Sequence, residues 1–150
     1  MLSILLLLWV FCFLLLVLSQ ETLAEKVGLC ITGNSVLFLS LAVAVILKRI
    51  IYKKRPPKKV EFFTPYNKYA FPSGHATGLF SITYVIFLTS IPLGIVALSI
   101  SFFIVIARVK SHVHDLVDII GGAFIGLVVT NVAIPYVVMY VNVLLLPWIL

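Results

Sequence analysis

The chain has 150 residues, of which 63% are hydrophobic and 11% are charged, and its formal net charge is +6. This apolar share is well above that of a soluble domain, so the composition predicts an integral membrane protein and excludes an ordinary soluble fold. The length predicts a single domain over residues 1–150. The basic residues are confined to a few stretches between apolar runs, which argues against nucleic acid as a partner.

Two apolar runs open the chain. The run from Leu2 to Leu18 is long enough, at about 1.5 Å per residue, to span most of a hydrocarbon core of roughly 30 Å. A cleaved signal peptide is the alternative, but no basic residue precedes the run and its length exceeds that of the usual signal-peptide core. The second run predicts a span from Val27 to Leu47 that ends at Lys48-Arg49.

The stretch from Lys48 to Phe71 is basic and is predicted to lie outside the hydrocarbon. Three prolines within it oppose a long helix. The positive-inside rule places this loop, and with it the active site, on the cytoplasmic face of the cell membrane. The outer face is the alternative, because a binding site for an anion would attract basic residues for its own reasons. The charged residues are Lys48, Arg49, Lys53, Lys54, Arg55, Lys58, Lys59, Lys68 and Glu61.

The apolar residues from Ala76 to Ala107 predict a helical hairpin with a tight turn at Ile91–Gly94. Each arm is slightly short for a full span, and a re-entrant pair is the alternative. Because a hairpin crosses the membrane twice, the residues before and after it, His75 and Arg108, are expected on the same face as Lys48.

A further apolar run predicts a span from Leu116 to about Val132, with Pro135 marking a kink or the start of more interfacial helix. The predicted fold class is therefore all-α. It is a multi-pass transmembrane helical bundle of five spans, with six as the alternative, and its active site lies at one membrane interface.

Polar residues outside the apolar runs fall into three clusters, the first of which is Lys48 with Arg55-Pro56. Both cations could bind one anion. A positive-inside loop is the alternative, and it explains Lys53 and Lys54, together with Lys58 and Lys59, without any chemistry.

The second cluster, Pro72-Ser73-Gly74-His75, opens an apolar helix. Ser73 is a candidate N-cap, Gly74 permits close approach, and the first backbone N–H groups of a helix bind phosphate well. An ordinary capped helix with an interfacial histidine is the alternative.

The third cluster contains Arg108, His114 and Asp118. His114 and Asp118 are four residues apart, so on one helix face the carboxylate could accept from one imidazole nitrogen and leave the other free to attack. The alternative is a helix start capped by Ser111, with Asp115 favouring the helix dipole.

Together the clusters resemble the type 2 phosphatidic acid phosphatase family. Its signature is Lys, six residues, Arg-Pro; then Pro-Ser-Gly-His; then Ser-Arg, five residues, His, three residues, Asp. Order and spacing match across Lys48 to Asp118, and the departure is Ala107, where the family usually has serine. The chain offers two spans ahead of the signature, where family members commonly have three.

The resemblance implies a catalytic set in which His114 attacks phosphorus, Asp118 orients it, and His75 protonates the leaving oxygen and then activates water. It also implies a phosphate-binding set: Lys48, Arg55, Ser73, Gly74 and Arg108. We expect no cofactor and no metal, because three fixed cations can neutralise the phosphoryl oxygens and the chain has few carboxylates. His112 and Asp115 lie nearby, and His112 is expected to be exposed or to act indirectly. Cys12 and Cys30 are expected to be free thiols.

The predicted function is hydrolysis of a lipid phosphate or diphosphate through a phosphohistidine, with a polyprenyl diphosphate as the favoured substrate. Phosphatidic acid and phosphatidylglycerol phosphate are alternative substrates that need the same groups. Phosphotransfer to a lipid or sugar shares the first half-reaction. A non-catalytic membrane protein that binds anionic headgroups through its basic loop is the alternative from a different class.

Overall fold

The computed structural model describes residues 2–54, 69–112 and 114–145, and this part of the chain is helical apart from short connections. Five α-helices confirm the predicted all-α class, and a π-helical turn at Val141–Leu145 continues the last of them. The helices are α1, Leu2–Leu18; α2, Leu23–Ile51; α3, Gly74–Thr89; α4, Ile91–Lys110; and α5, Leu116–Tyr140.

Helix α2 is longer than predicted at both ends. Thr22 accepts from the backbone N–H of Glu25, whose side chain accepts from the N–H of Thr22, so a capping box starts the helix four residues before Val27. The predicted end at Lys48-Arg49 is also wrong. Basic side chains are favourable in a last helical turn, and α2 continues to Ile51.

The α3–α4 hairpin is present, but its turn is shorter than predicted. The two helices are joined through Ser90 alone, and Pro92 lies in the first turn of α4, where its missing N–H breaks no helical hydrogen bond. Gly94 packs directly on the preceding helix, because a Cβ there would lie 2.6 Å from the Cα of Phe87. Close helix packing, and not the turn, therefore explains this glycine.

Helix α5 continues through Pro135 to Tyr140, beyond the predicted end near Val132. Helix α3 is central and contacts α5, α4 and α2, while α1 packs mainly on α4. Hydroxyl groups link the helices where they are buried: Ser81 lies 2.7 Å from Thr130 and 3.2 Å from Ser40. Polar side chains of this kind bond helices together inside a membrane.

The outer faces of the helices are apolar, which suits contact with lipid. In the described part of the chain, three helical segments are long and apolar enough to cross a membrane: Leu23–Ile51, Ile91–Lys110 and Leu116–Val143. Helix α3 is a shorter apolar helix of 16 residues. These segments mark the chain as an integral membrane protein.

Candidate active site

The end of α2, the start of α3, the end of α4 and the start of α5 meet at one end of the bundle. A short backbone pairing joins the two sides of the connection after α2: the N–H of Ala70 donates to the carbonyl of Lys53 at 2.7 Å, and Lys54 pairs with Tyr69. This pairing leads directly into Pro72 and the start of α3.

Ser73 caps α3, as predicted, and its hydroxyl accepts from the N–H of Ala76. The N–H of Ser73 donates to the backbone carbonyl of Asp118 at 2.9 Å, which ties the second cluster to the third. Gly122, one turn further along α5, makes this approach possible. A Cβ there would lie 2.5 Å from the carbonyl oxygen of Ser73.

The space next to the N-terminus of α3 is open at Gly74. A Cβ added at Gly74 would meet no atom within 4 Å, and His75 is exposed. Arg108 of α4 donates from Nη2 to Nε2 of His75 at 2.5 Å. The structure thus brings together a cation from the third cluster and the histidine of the second, on the open side of a helix N-terminus.

His114 and Asp118 are in contact, but they do not share a helix face as predicted. Helix α5 begins only at Leu116, because Asp115 is its N-cap and the Asp118 carboxylate accepts from the N–H of Asp115 at 3.0 Å. His114 precedes the cap and packs back on it, with Nδ1 3.6 Å from Oδ2 of Asp118. Ser111 caps the end of α4, not the start of α5. Both members of the His114–Asp118 pair are buried.

Lys53 is the residue that the sequence interpretation missed. Its ammonium group lies 2.6 Å from Oδ1 of Asp118 and 3.1 Å from Oδ2 of Asp115. Desolvation disfavours the charged ammonium, but hydrogen bonds to the two carboxylates outweigh it and hold the pKa of Lys53 above its usual 10.5. A positive-inside loop therefore does not account for Lys53, although no spacing pattern distinguishes it from Lys54.

The predicted phosphate ligands are only partly described. Lys48 lies near the end of α2 and donates to the carbonyl of Tyr69 at 3.2 Å, at the same end of the bundle as Arg108. Arg55 lies outside the described residues, so its pairing with Lys48 stays a prediction. Ser73 is fully buried, and His112 is exposed. Cys12 and Cys30 are free thiols.

This arrangement can hold an anion and transfer a proton. It combines the cationic side chains of Lys48 and Arg108, an exposed histidine, a buried histidine–carboxylate pair and free space at a helix N-terminus. The described residues contain no group of three or more His, Cys, Asp or Glu side chains that could hold a metal ion. A cavity of about 510 Å³ lies at the other end of the bundle, lined by residues such as Gln20, Glu25 and Asn142, and is remote from this chemistry.

Comparison with known proteins assigns the family. No solved structure matches the chain. The family model described as PAP2 superfamily matches residues 28–141, which include the whole of the described site. The match implies hydrolysis of phosphate esters. The chain therefore belongs to the PAP2 superfamily and is a phosphatase.

Proposed function

We propose that the chain hydrolyses a lipid phosphate monoester or diphosphate through a phosphohistidine formed on His114, with a polyprenyl diphosphate as the favoured substrate. The observation that carries this proposal is the contact between the buried His114 and Asp118 at the end of the bundle where Arg108 meets His75. Nδ1 of His114 faces the carboxylate, which leaves Nε2 as the nitrogen that can attack phosphorus.

The reaction needs two steps. In the first, Nε2 of His114 forms a bond to phosphorus while the bond to the leaving oxygen breaks, and that oxygen takes a proton from protonated His75. In the second, water attacks phosphorus, His75 takes a proton from the water, and the P–N bond breaks to release phosphate and neutral His114. Asp118 stabilises the positive charge that develops on His114 in the first step.

A lipid substrate is supported by the position of the site. The catalytic groups lie at helix ends, and the helices below them have apolar outer faces that a lipid tail could contact. Lys48, Arg55 and Arg108, with the N-terminus of α3, would neutralise the phosphoryl oxygens without a metal ion. The short connections between α1 and α2, α3 and α4, and α4 and α5 favour a substrate whose tail stays in the bilayer. We place this face in the cytoplasm by the positive-inside rule.

Phosphate release by the purified protein in detergent tests the function. A polyprenyl diphosphate, phosphatidic acid and phosphatidylglycerol phosphate would be compared in excess chelator, alongside His114→Ala. We expect release that survives the chelator, vanishes in the variant and is fastest for the polyprenyl diphosphate. Activity abolished by the chelator would refute the metal-free mechanism. Transfer of phosphate to an added alcohol in place of water would favour phosphotransfer.

The membrane orientation needs a separate test. Lys110 is exposed at the end of α4, on the active-site side, and can be replaced by cysteine in a chain that lacks Cys12 and Cys30. We expect a membrane-impermeant thiol reagent to label this cysteine only after the cells are opened. Labelling on intact cells would place the site on the outer face.

A further inference from the structure

Lys53 contacts the carboxylate that faces His114, yet it is one of the six residues that the signature leaves unspecified between Lys48 and Arg55. We propose that Lys53 is a positioning residue: its ammonium group orients the Asp118 carboxylate towards His114 and offsets the negative charge that Asp115 and Asp118 bring to an anion-binding site. The proposal rests on the proposed function, because it concerns the histidine nucleophile.

The orientation of Asp118 depends on a different donor at each oxygen. Oδ1 accepts from Lys53 at 2.6 Å, and Oδ2 accepts from the N–H of Asp115 at 3.0 Å while facing Nδ1 of His114 at 3.6 Å. Rotation of the Asp118 carboxylate about its Cβ–Cγ bond would break one or both of these hydrogen bonds. Lys53 therefore holds the oxygen that faces away from His114, and so restrains the oxygen that faces towards it.

The backbone fixes Lys53 where it can do this. Its carbonyl accepts from Ala70, and the adjacent Lys54 pairs with Tyr69, whose carbonyl in turn accepts from Lys48. Lys53 thus sits on a small paired segment that connects the end of α2 to the start of α3. Its side chain is about two-thirds buried, at 33% exposure, and reaches across to the start of α5.

The charge balance supports the same role. A phosphatase site must accept a substrate that carries negative charge, and two neighbouring carboxylates would repel it. Lys48 and Arg108 have other partners at this end of the bundle, since Lys48 donates to the carbonyl of Tyr69 and Arg108 donates to His75. Among the described residues, the ion pairs around the nucleophile involve Lys53, Asp115, Asp118 and His114. Because its ammonium group is held between two carboxylates, Lys53 serves the nucleophile and not the phosphate.

Lys53→Met tests the proposal, with Lys54→Met as the matched control because Lys54 is the exposed neighbour. We expect kcat to fall about 10- to 100-fold, the range for partners that orient a functional group, with KM changed by no more than about twofold. Without the Lys53 ammonium group, the negative charge of the two carboxylates favours the protonated form of His114. The acid limb of the pH–activity profile should therefore move to higher pH. Lys53→Arg keeps the charge and should restore most of the activity.

Asp115→Asn provides a second test within the same contact. Asn is also a good N-cap, so the start of α5 is kept while one negative charge is removed. We expect this change to restore part of the activity and part of the pH profile when it is combined with Lys53→Met. If Lys53→Met does not fold, Lys53→Gln, which keeps a hydrogen-bond donor but no charge, carries the same expectation.

The outcomes separate the two proposals. If the wild-type protein releases phosphate and Lys53→Met has the same kcat and pH profile, the positioning role is refuted and the function stands. A rise in KM at unchanged kcat would also refute it and make Lys53 a phosphate ligand. If the wild-type protein releases no phosphate from any substrate, the proposed function itself fails.

Discussion

Arg108 donates from Nη2 to Nε2 of His75 across 2.5 Å, so a predicted phosphate ligand directly contacts the proposed acid. A guanidinium group has no acceptor, and Nε2 of His75 therefore supplies a lone pair, which means that the imidazole is neutral in this contact. If a phosphoryl group bound Arg108 instead, Nε2 would be released to take up the proton that the proposed mechanism has His75 give to the leaving oxygen. Under the proposed function, substrate binding and the activation of His75 would thereby be linked.

Replacing Arg108 by Met should weaken phosphate binding. We expect the inhibition constant for inorganic phosphate to rise about 10- to 100-fold, because a charge-assisted hydrogen bond is lost. Lys110→Met, at the exposed end of the same helix, is the control and should bind phosphate normally. Unchanged inhibition in Arg108→Met would remove Arg108 from the phosphate site.

Replacing Asp118 by Asn should remove the negative charge that His114 contacts. We expect kcat to fall about 1,000- to 10,000-fold, as when the carboxylate that orients a catalytic histidine is made neutral. Asp115→Asn should retain activity within a few-fold, because Asp115 contacts Lys53 and not His114 in the described site. Initial rates of phosphate release measure both variants, and equal losses would contradict the assignment.

His75→Ala should separate the two half-reactions. With a substrate whose leaving group needs no protonation, phosphate transfer to His114 should proceed, but hydrolysis of the phosphohistidine should slow because its base is absent. An acid-labile, base-stable phosphoenzyme should therefore accumulate and can be detected with radioactive substrate. His114→Ala should give no label, and label in that variant would place the nucleophile elsewhere.

Replacement by alanine should affect stability at Gly122 and substrate binding at Gly74. A Cβ at Gly122 would collide with the carbonyl of Ser73, so Gly122→Ala should cost about 1 to 3 kcal/mol of stability and lower Tm. Gly74 has open space around it, so Gly74→Ala should leave Tm unchanged but raise KM by occupying the proposed phosphate site. A stable Gly122→Ala protein would show that α3 and α5 do not need this close approach.

The contribution of Lys53 to stability should depend on pH in one direction. Because hydrogen bonds to Asp118 and Asp115 raise the pKa of Lys53 in the folded protein, its contribution is fully present below the ordinary value of 10.5 and is lost as pH rises through the raised value. Solvent screening of the partly exposed ammonium limits the contribution to about 1 kcal/mol. Thermal melts of wild type and Lys53→Met from pH 7 to 11 should therefore converge only at the alkaline end.

Helix existence was predictable because each apolar run is long and bounded by polar residues or turn signals. Helix ends were less predictable, since local contacts decide them. The capping box at Thr22 starts α2 earlier, and Pro92 was assigned to a turn although proline fits the first turn of a helix equally well. The spacing of His114 and Asp118 predicted that both lie on one helix. Because Asp115 is the N-cap of α5, His114 instead lies before that helix.

The sequence by itself determined the all-helical membrane class, the helices and the motif residues, because hydrophobic runs and the signature spacing are local patterns. Only the tertiary structure decided which side chains meet: Arg108 with His75, the Ser73 amide with the Asp118 carbonyl, and Lys53 with Asp118. The partners in these contacts are 33 to 65 residues apart in the chain. Their meeting follows from helix packing and the paired segment after α2, which no local pattern in a single sequence encodes.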